Sequence, residues 1–178
     1  MKSTIEGDVT VPCMWVSQES QLHLDHVTVS RCGNIQGPGP VYAEEYTTIN
    51  IRSSYFLDNR GDAAAGVYIL PLSSLTIEDS LFPHNEGTIA AIYSNTAYVD
   101  IRNTTFSFNQ SNRGGEGAII ALYNSLSKIR SCTFTGNKAA GGDNVVTCLS
   151  EPGQVFGLRF DNNNVGKDKI INSDCKIF

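Results

Sequence analysis

Hydrophobic and polar positions repeat along this chain with a period of about 26 residues. The pattern Phe-x-x-Asn occurs five times, at intervals of 26, 24, 28 and 26 residues. An aliphatic residue stands five positions before each of these Phe residues: Ile51, Ile77, Ile101, Ile129 and Val155. An earlier unit fits the same frame, with Leu24 and Val29 in the apolar places and Cys32 in the Asn place. A period in this range is typical of a repeat architecture, in which each unit stacks on the next.

Each unit is predicted to begin as a β-strand. In the stretch LTIEDSLF (75–82), Leu75 and Ile77 point to one side of the strand, while Thr76 and Glu78 point to the other. The five-residue step from Ile77 to Phe82 is odd, so a bend is needed to turn Phe82 inward. The predicted bends fall at residues that tolerate unusual backbone angles: Ser53, Asp79, Asn103, Ser131 and Gly157.

A second strand, often led by Gly, follows in each unit. These strands are predicted over 66–70, 87–93, 117–123 and 143–149. Short strands, repeated turns and the absence of a useful amphipathic helix pattern predict a solenoid of about six β-coils. We expect one domain over 1–178, with coils stacked at strand spacing, roughly 4.8 Å.

Stacking places equivalent residues directly above each other. The Phe residues at 56, 82, 106, 134 and 160 are then expected to form an internal aromatic stack. The amides of the repeat are expected to form a structural ladder: Asn59, Asn85, Asn109, Asn137 and Asn163. An Asn amide can donate to one coil, accept from another, and satisfy turn backbone groups that would otherwise be buried unpaired.

The five Phe-x-x-Asn motifs resemble the repeats of right-handed parallel β-helix proteins. They are most similar to the F-x-x-N and G-G-A-[ILV] repeats of polymorphic outer-membrane proteins, within the wider pectin-lyase-like superfamily. The resemblance covers roughly residues 20–165, although this chain has GEGAI (115–119) and GVYI (66–69) where that family has G-G-A-I. It implies a right-handed β-helix that serves in surface display, adhesion or scaffolding, or that cleaves polysaccharides.

The charge balance argues against nucleic acid as a partner. The net charge is −5, which leaves no basic footprint for DNA or RNA. No run of about 20 apolar residues occurs, so we expect no membrane span.

The outward positions of the first strand supply the candidate binding residues. One outward column reads Asp25, Arg52, Glu78, Arg102 and Arg130, and its neighbour reads His23, Asn50, Thr76, Asp100 and Lys128. The cluster Asp100, Arg102, Lys128 and Arg130 could bind an acidic sugar or another anion. Alternating charges in neighbouring strands also stabilise a sheet modestly, and this structural reading is the stronger one.

No metal or cofactor site is expected. The three histidines lack metal-ligand spacing, and the five cysteines form no C-x-x-C pair. The stretch LDHVTVS (24–30) resembles the W-I-D-H stretch of pectate lyases, whose Asp helps bind calcium, but no R-x-P-x-x-R follows to supply a catalytic base.

The cysteines and the two N-glycosylation sequons predict which side chains are buried and which are accessible. The odd number of cysteines leaves at least one thiol unpaired within the chain. Cys132 falls in an inward column, so a buried thiol is expected there, with Cys148 as its most plausible partner if a bridge exists. Asn103 begins a sequon at an outward bend and is a candidate for glycosylation, whereas the Asn109 sequon lies on the inward ladder.

The sequence therefore favours a non-catalytic structural or adhesive module of a surface or extracellular assembly. Segments 3–16 and 169–178 look like further strands, so we expect a piece of a longer solenoid, or a subunit whose open ends are covered by protein partners. Polysaccharide is a further candidate partner. The alternative is a polysaccharide-acting enzyme of the pectin-lyase-like type, or a carbohydrate-binding module, that uses the outer face of the first sheet.

Overall fold

The computed structural model of the chain describes residues 3–8, 12–34, 37–112, 118–140, 145–149, 154–161, 163, 171 and 175–177. Its strands form three sheets in which every pairing is parallel. The predicted solenoid is confirmed, with about five turns of about 26 residues each, close to the six coils expected.

The first sheet contains the strand that opens each repeat. Its members are β3 (Gln21–Asp25), β7 (Thr48–Arg52), β11 (Ser74–Glu78), β14 (Tyr98–Arg102), β18 (Leu126–Arg130), β21 (Gln154–Phe156) and β23 (Lys176–Ile177). The strands pair in register, so Ile51, Ile77, Ile101 and Ile129 form one fully buried column.

The second sheet carries the phenylalanines. Its members are β1 (Ser3–Glu6), β4 (Val27–Ser30), β8 (Tyr55–Leu57), β12 (Leu81–Pro83), β15 (Thr105–Ser107), β19 (Thr133–Thr135) and β22 (Arg159–Asp161). The sequence predicted two strands per unit, whereas the Phe segment is a separate strand between two bends. Each turn is therefore three-sided.

The third sheet contains the Gly-led strands. Its main path is β2 (Met14–Val16), β6 (Val41–Ala43), β10 (Val67–Ile69), β13 (Glu86–Asn95), β17 (Ala118–Tyr123) and β20 (Val146–Leu149). Three further strands lie beside this path: β5 (Gly33–Asn34), β9 (Arg60–Ala64) and β16 (Gln110–Ser111). The register shifts near Ile89 and Ile92, where β13 carries a bulge that bends the sheet.

The core between the sheets is a stack of repeated side chains. The rings of Phe56, Phe82, Phe106 and Phe134 are fully buried, with successive centroids 4.7, 5.1 and 5.0 Å apart and interplanar angles of 10–23°. Phe160 lies in β22, in register with Phe134, although its side chain is outside the described part. Stacked rings at this spacing gain aromatic contact beyond the area that they bury.

Each turn bends where a residue adopts a left-handed backbone conformation. The first bend falls at Ser53, Asp79, Asn103, Ser131 and Gly157, with φ between 47° and 54°, which confirms the predicted positions. Within the described residues, two further bends repeat in the same way. One precedes the ladder position, at Arg31, Asp58, His84, Phe108 and Gly136, and the other precedes a strand of the first sheet, at Glu19, Tyr46, Leu72, Thr96 and Asn124. Phe108 (φ 53°) and Leu72 (φ 60°) occupy such bends, although neither residue type favours this conformation.

An inward polar side chain follows each type of bend. After the first bend, the Ser80 hydroxyl accepts a hydrogen bond from the backbone N–H of Ser54 at 3.1 Å. After the third bend, the Ser73 hydroxyl accepts from the backbone N–H of Thr47 at 2.9 Å. All four of these residues are buried, so at these corners a side chain of one turn satisfies the backbone of the preceding turn.

The second bend carries the asparagine column. Asn85 Nδ2 donates to the Phe56 carbonyl at 2.8 Å and to Asn109 Oδ1 at 3.0 Å. Asn85 Oδ1 accepts from the backbone N–H and from the Nδ2 of Asn59, at 3.1 and 3.0 Å. The same pattern runs from Asn59 to Asn163. Each internal amide therefore makes four hydrogen bonds in a buried site.

The cysteines pair differently from the expectation. Two disulfides form, Cys13–Cys32 and Cys148–Cys175, with Cα–Cα distances of 5.5 and 5.3 Å. Pairing of Cys132 with Cys148 is therefore wrong, because Cys148 is bridged to Cys175. Cys132 is the buried free cysteine, as its inward column predicted. Cys32 occupies the ladder position of its turn, where its backbone N–H donates to Asn59 Oδ1 at 3.0 Å.

Replacing one ladder amide should destabilise the fold strongly. We expect Asn85→Leu to lower the free energy of unfolding by about 3 kcal/mol or more, because buried donors and acceptors on both neighbouring turns lose their partners. Asn50→Leu is the matched control, since Asn50 faces outward and its loss should cost about 0.5 kcal/mol or less. Urea unfolding of both variants measures the difference, and equal losses would contradict the role of the ladder.

The buried thiol should make stability pH-dependent in alkali. Burial raises the pKa of Cys132 from 9.0 to about 11. The folded state holds the thiol proton more tightly than the unfolded state. The resulting contribution to the free energy of unfolding is complete below pH 9 and is lost as the pH rises to about 11. The full loss is on the order of 2–3 kcal/mol.

The comparison with Cys132→Ala isolates this effect. The Tm of the wild type relative to that of Cys132→Ala should be constant from pH 7 to 9 and then fall, as measured by scanning fluorimetry. Tyr42 and Tyr68 also have raised pKa values, through burial first, but both proteins contain them and their effects cancel. A Tm difference that does not change up to pH 11 would show that the thiol is not desolvated.

Candidate functional site

The outer face of the first sheet brings the predicted binding residues together. Strand register places Asp100 beside Lys128 and Arg102 beside Arg130. Glu78 lies beside Arg102 in the neighbouring strand. The four predicted residues thus occupy two adjacent columns on two adjacent strands.

Most of the charges on this face bind one another. Arg130 Nη2 donates to both carboxylate oxygens of Asp100, at 2.8 and 2.7 Å. Arg102 Nη2 donates to Glu78 Oε2 at 2.8 Å. The hydrogen bond and the negative charge of Glu78 raise the pKa of Arg102. The Asp100 carboxylate, with 17% of its side chain exposed, is therefore held in an ion pair.

These ion pairs leave few charged groups in the described part of this face available to a ligand. An anionic ligand would have to separate Arg130 from Asp100, or Arg102 from Glu78, before binding either guanidinium. Lys128 is half-buried, and no hydrogen bond or ion pair is described for it. Partly exposed pairs of this kind contribute modestly to stability and fix the register of neighbouring strands.

The stretch around Asp25 does not gather metal ligands. Asp25 Oδ1 lies 2.9 Å from His26 Nδ1, and both side chains are more than half exposed. Across the described ranges, no three His, Cys, Asp or Glu residues come together in an arrangement that could hold a metal ion.

The third sheet carries an aromatic column that the sequence reasoning missed. Its outward residues Trp15, Tyr42, Tyr68 and Tyr93 stand directly beside each other in successive turns. Tyr42, Tyr68 and Tyr93 are stacked, with centroids 5.4 and 4.8 Å apart, and Trp15 tilts against Tyr42 at 4.4 Å. The signal was present, because these aromatics recur at intervals of 27, 26 and 25 residues.

Both ends of this column have distinct surroundings. At one end, Trp15 is 60% exposed and its Nε1 donates to Glu44 Oε1 at 3.0 Å. At the other end, Tyr93 is followed in register by Ala121 instead of a ring. A groove of about 280 Å³ opens there, with Tyr68, Tyr93 and Ala121 among its lining residues.

Comparison with known proteins identifies the family. The model of the right-handed β-helix region matches residues 3–165, so the chain belongs to this family. The predicted right-handed parallel β-helix is thereby confirmed. No curated protein matches the chain, and no solved structure matches it.

Within the described part of the chain, no helix is both long and apolar enough to span a bilayer.

The two sequons provide a test of accessibility. Asn103 is exposed at the first bend, whereas Asn109 is fully buried in the ladder with its amide hydrogen-bonded. After secretion from eukaryotic cells, we expect a glycan on Asn103 and none on Asn109, because only Asn103 can be reached. Peptide mass mapping measures this, and Asn103→Gln is the control that should remove all N-glycan. Occupancy at Asn109, or none at Asn103, would contradict the prediction.

Proposed function

We propose that this β-helix is a non-catalytic structural or adhesive module of a surface or extracellular assembly. The observation that supports this most is the mutual pairing of charges on the outer face of the first sheet. Asp100 with Arg130, and Glu78 with Arg102, act as contacts between turns, so the groups that a sugar-cleaving site would need are already engaged.

The disulfides support an oxidising location. The first disulfide joins Cys13, just before β2, to Cys32, just after β4. The second joins Cys148 in β20 to Cys175, 27 residues further along the chain. Structural disulfides persist in extracellular and cell-surface compartments and are rare in the cytosol. Together with a continuous apolar core, they suit a rigid spacer that must hold its shape outside the cell.

We also propose that protein partners cover the ends of the solenoid. In the described part of the chain, strands β1, β2 and β3 lie at the end of their sheets and pair on one side only. The outer edge of each strand offers unpaired N–H and C=O groups to another chain. Partners that add strands there would continue the three sheets.

The test of the proposed function is a search for turnover and binding. The oxidised protein is incubated with polyuronates and neutral glycans, with and without calcium, and new reducing or unsaturated ends are measured together with binding. We expect no new ends. Sedimentation of the same preparation should show association through the open ends, and a monodisperse monomer at all concentrations would contradict partner-covered ends.

Variants on the outer face make the first part of this test specific. Arg102→Ala and Arg130→Ala each remove one member of an ion pair, while Arg52→Ala is a matched control in the same column. Cleavage that either of the first two variants abolishes, and that Arg52→Ala retains, would establish the polysaccharide-acting alternative. Binding without cleavage, with the same dependence on residues, would identify a carbohydrate-binding module.

A further inference from the structure

The aromatic column on the third sheet ends at Tyr93, which lines the groove. Register in the sheet places Ala121 next to Tyr93, and Thr147 next to Ala121. Rings therefore fill this outward column for four turns, and a methyl group occupies the fifth. The Tyr68–Tyr93 spacing of 4.8 Å is the distance at which one further ring would stack on Tyr93.

The groove at this position has the size of a ring site. Its volume is about 280 Å³. An apolar cavity of roughly 150 Å³ holds a benzene molecule, so this groove has room for one ring and its substituents. Ala121, at 3% exposure, forms its floor, and Tyr123 and Leu149 line it further along the strands.

A local irregularity of the sheet shapes the groove. The bulge in β13 turns Ile89 outward, where it packs with Ala64, Ala118 and Ala121 in a small cluster outside the main core. Tyr68 and Tyr93 pack against this cluster. The site thus has a floor and walls built from strands, as preformed ligand sites do.

The lining selects for an uncharged ligand. Within the described part of the chain, the lining residues are all apolar or hydroxyl-bearing: Ala63, Tyr68, Thr88, Ile89, Tyr93, Ala121, Tyr123 and Leu149. The Thr88 hydroxyl donates to Asp62 Oδ1 at 3.3 Å, which places a negative charge beside the groove, and the chain as a whole carries −5. Burial raises the pKa of Tyr68, and its neighbours Tyr93 and Tyr42 add to the shift, so its hydroxyl stays protonated at neutral pH.

We propose that this groove binds a small neutral aromatic molecule, whose ring stacks on Tyr93 above Ala121 and takes the place of the missing ring in the column. The described lining contains no charged side chain, so an ionised ligand would lose hydration there without gaining an ion pair. The hydroxyl groups of Tyr68, Tyr123 and Thr88 offer hydrogen bonds to a polar substituent on the ring. This binding does not depend on the structural role proposed above.

The first test uses p-cresol as the probe. Titration into the full chain, followed by NMR of the Ala121 and Ile89 methyl groups, should give saturable shifts. The Ala121 signal should move upfield, because a methyl under an aromatic face is shielded by the ring. Cyclohexanol, 4-hydroxyphenylacetate and methyl β-glucoside serve as non-aromatic, anionic and sugar probes, and each should bind at least ten-fold more weakly than p-cresol.

Two variants locate the site. Ala121→Phe supplies the missing ring from the chain itself, so it should weaken p-cresol binding at least ten-fold without lowering the Tm. Tyr93→Leu keeps an apolar side chain but removes the stacking face, and should weaken binding at least five-fold. Tyr46→Leu, at an exposed corner of another face, is the control and should leave binding unchanged.

Several outcomes would overturn the proposal. Absence of saturable shifts with p-cresol, or unchanged binding in both Ala121→Phe and Tyr93→Leu, would show that no ring binds there. Stronger binding of methyl β-glucoside than of p-cresol would assign the groove to sugars. N-acetyltyrosinamide is the last arm, and binding ten-fold tighter than that of p-cresol would assign the groove to an aromatic side chain of a partner protein.

Discussion

The fold depends on side chains that satisfy the backbone at the corners of each turn. A three-sided coil must bend three times in about 26 residues, and each bend turns backbone N–H groups away from the sheets. Inward Asn, Ser and Thr side chains of the next turn accept from these groups, as Ser80 does for Ser54 and Asn85 does for Asn59. Since the partner always lies one turn away, the same contacts that close a corner also lock the register between turns.

This constraint explains which parts of the structure were accessible to sequence reasoning. Inward positions must repeat, so Phe-x-x-Asn and the Ile five residues before it were sufficient to predict the solenoid and its first bend. The other bends were not predictable, because Leu72 and Phe108 adopt left-handed backbone conformations that their residue type disfavours. Neighbouring turns pack closely at these bends, since Phe108 stacks on His84 and a Cβ at Gly136 would lie 2.6 Å from the Phe108 ring.

The candidate site was likewise only partly predictable from the sequence. The columns that contain Asp100 and Arg130 could be predicted, because strand register follows from the repeat. The diagonal pairing of these two residues could not, since it depends on side-chain reach between columns and not on the repeat. The predicted partner of Cys148 was wrong because it was chosen by nearness in the sequence. Cys148 follows Cys132 closely, but its actual partner, Cys175, comes about one full turn later.

An exact repeat on the outer surface would not distinguish one turn from the next for a small ligand. A column of identical side chains offers the same contacts at every turn, so a site for a single small molecule is expected where the repeat is broken. On the third sheet two breaks coincide, the bulge near Ile89 and the replacement of a ring by Ala121. Such breaks do not disrupt the fold, because the inward ladders of hydrogen-bonded side chains hold the turns together. The outer face can therefore vary without loss of the fold, and recognition is expected at these irregular positions.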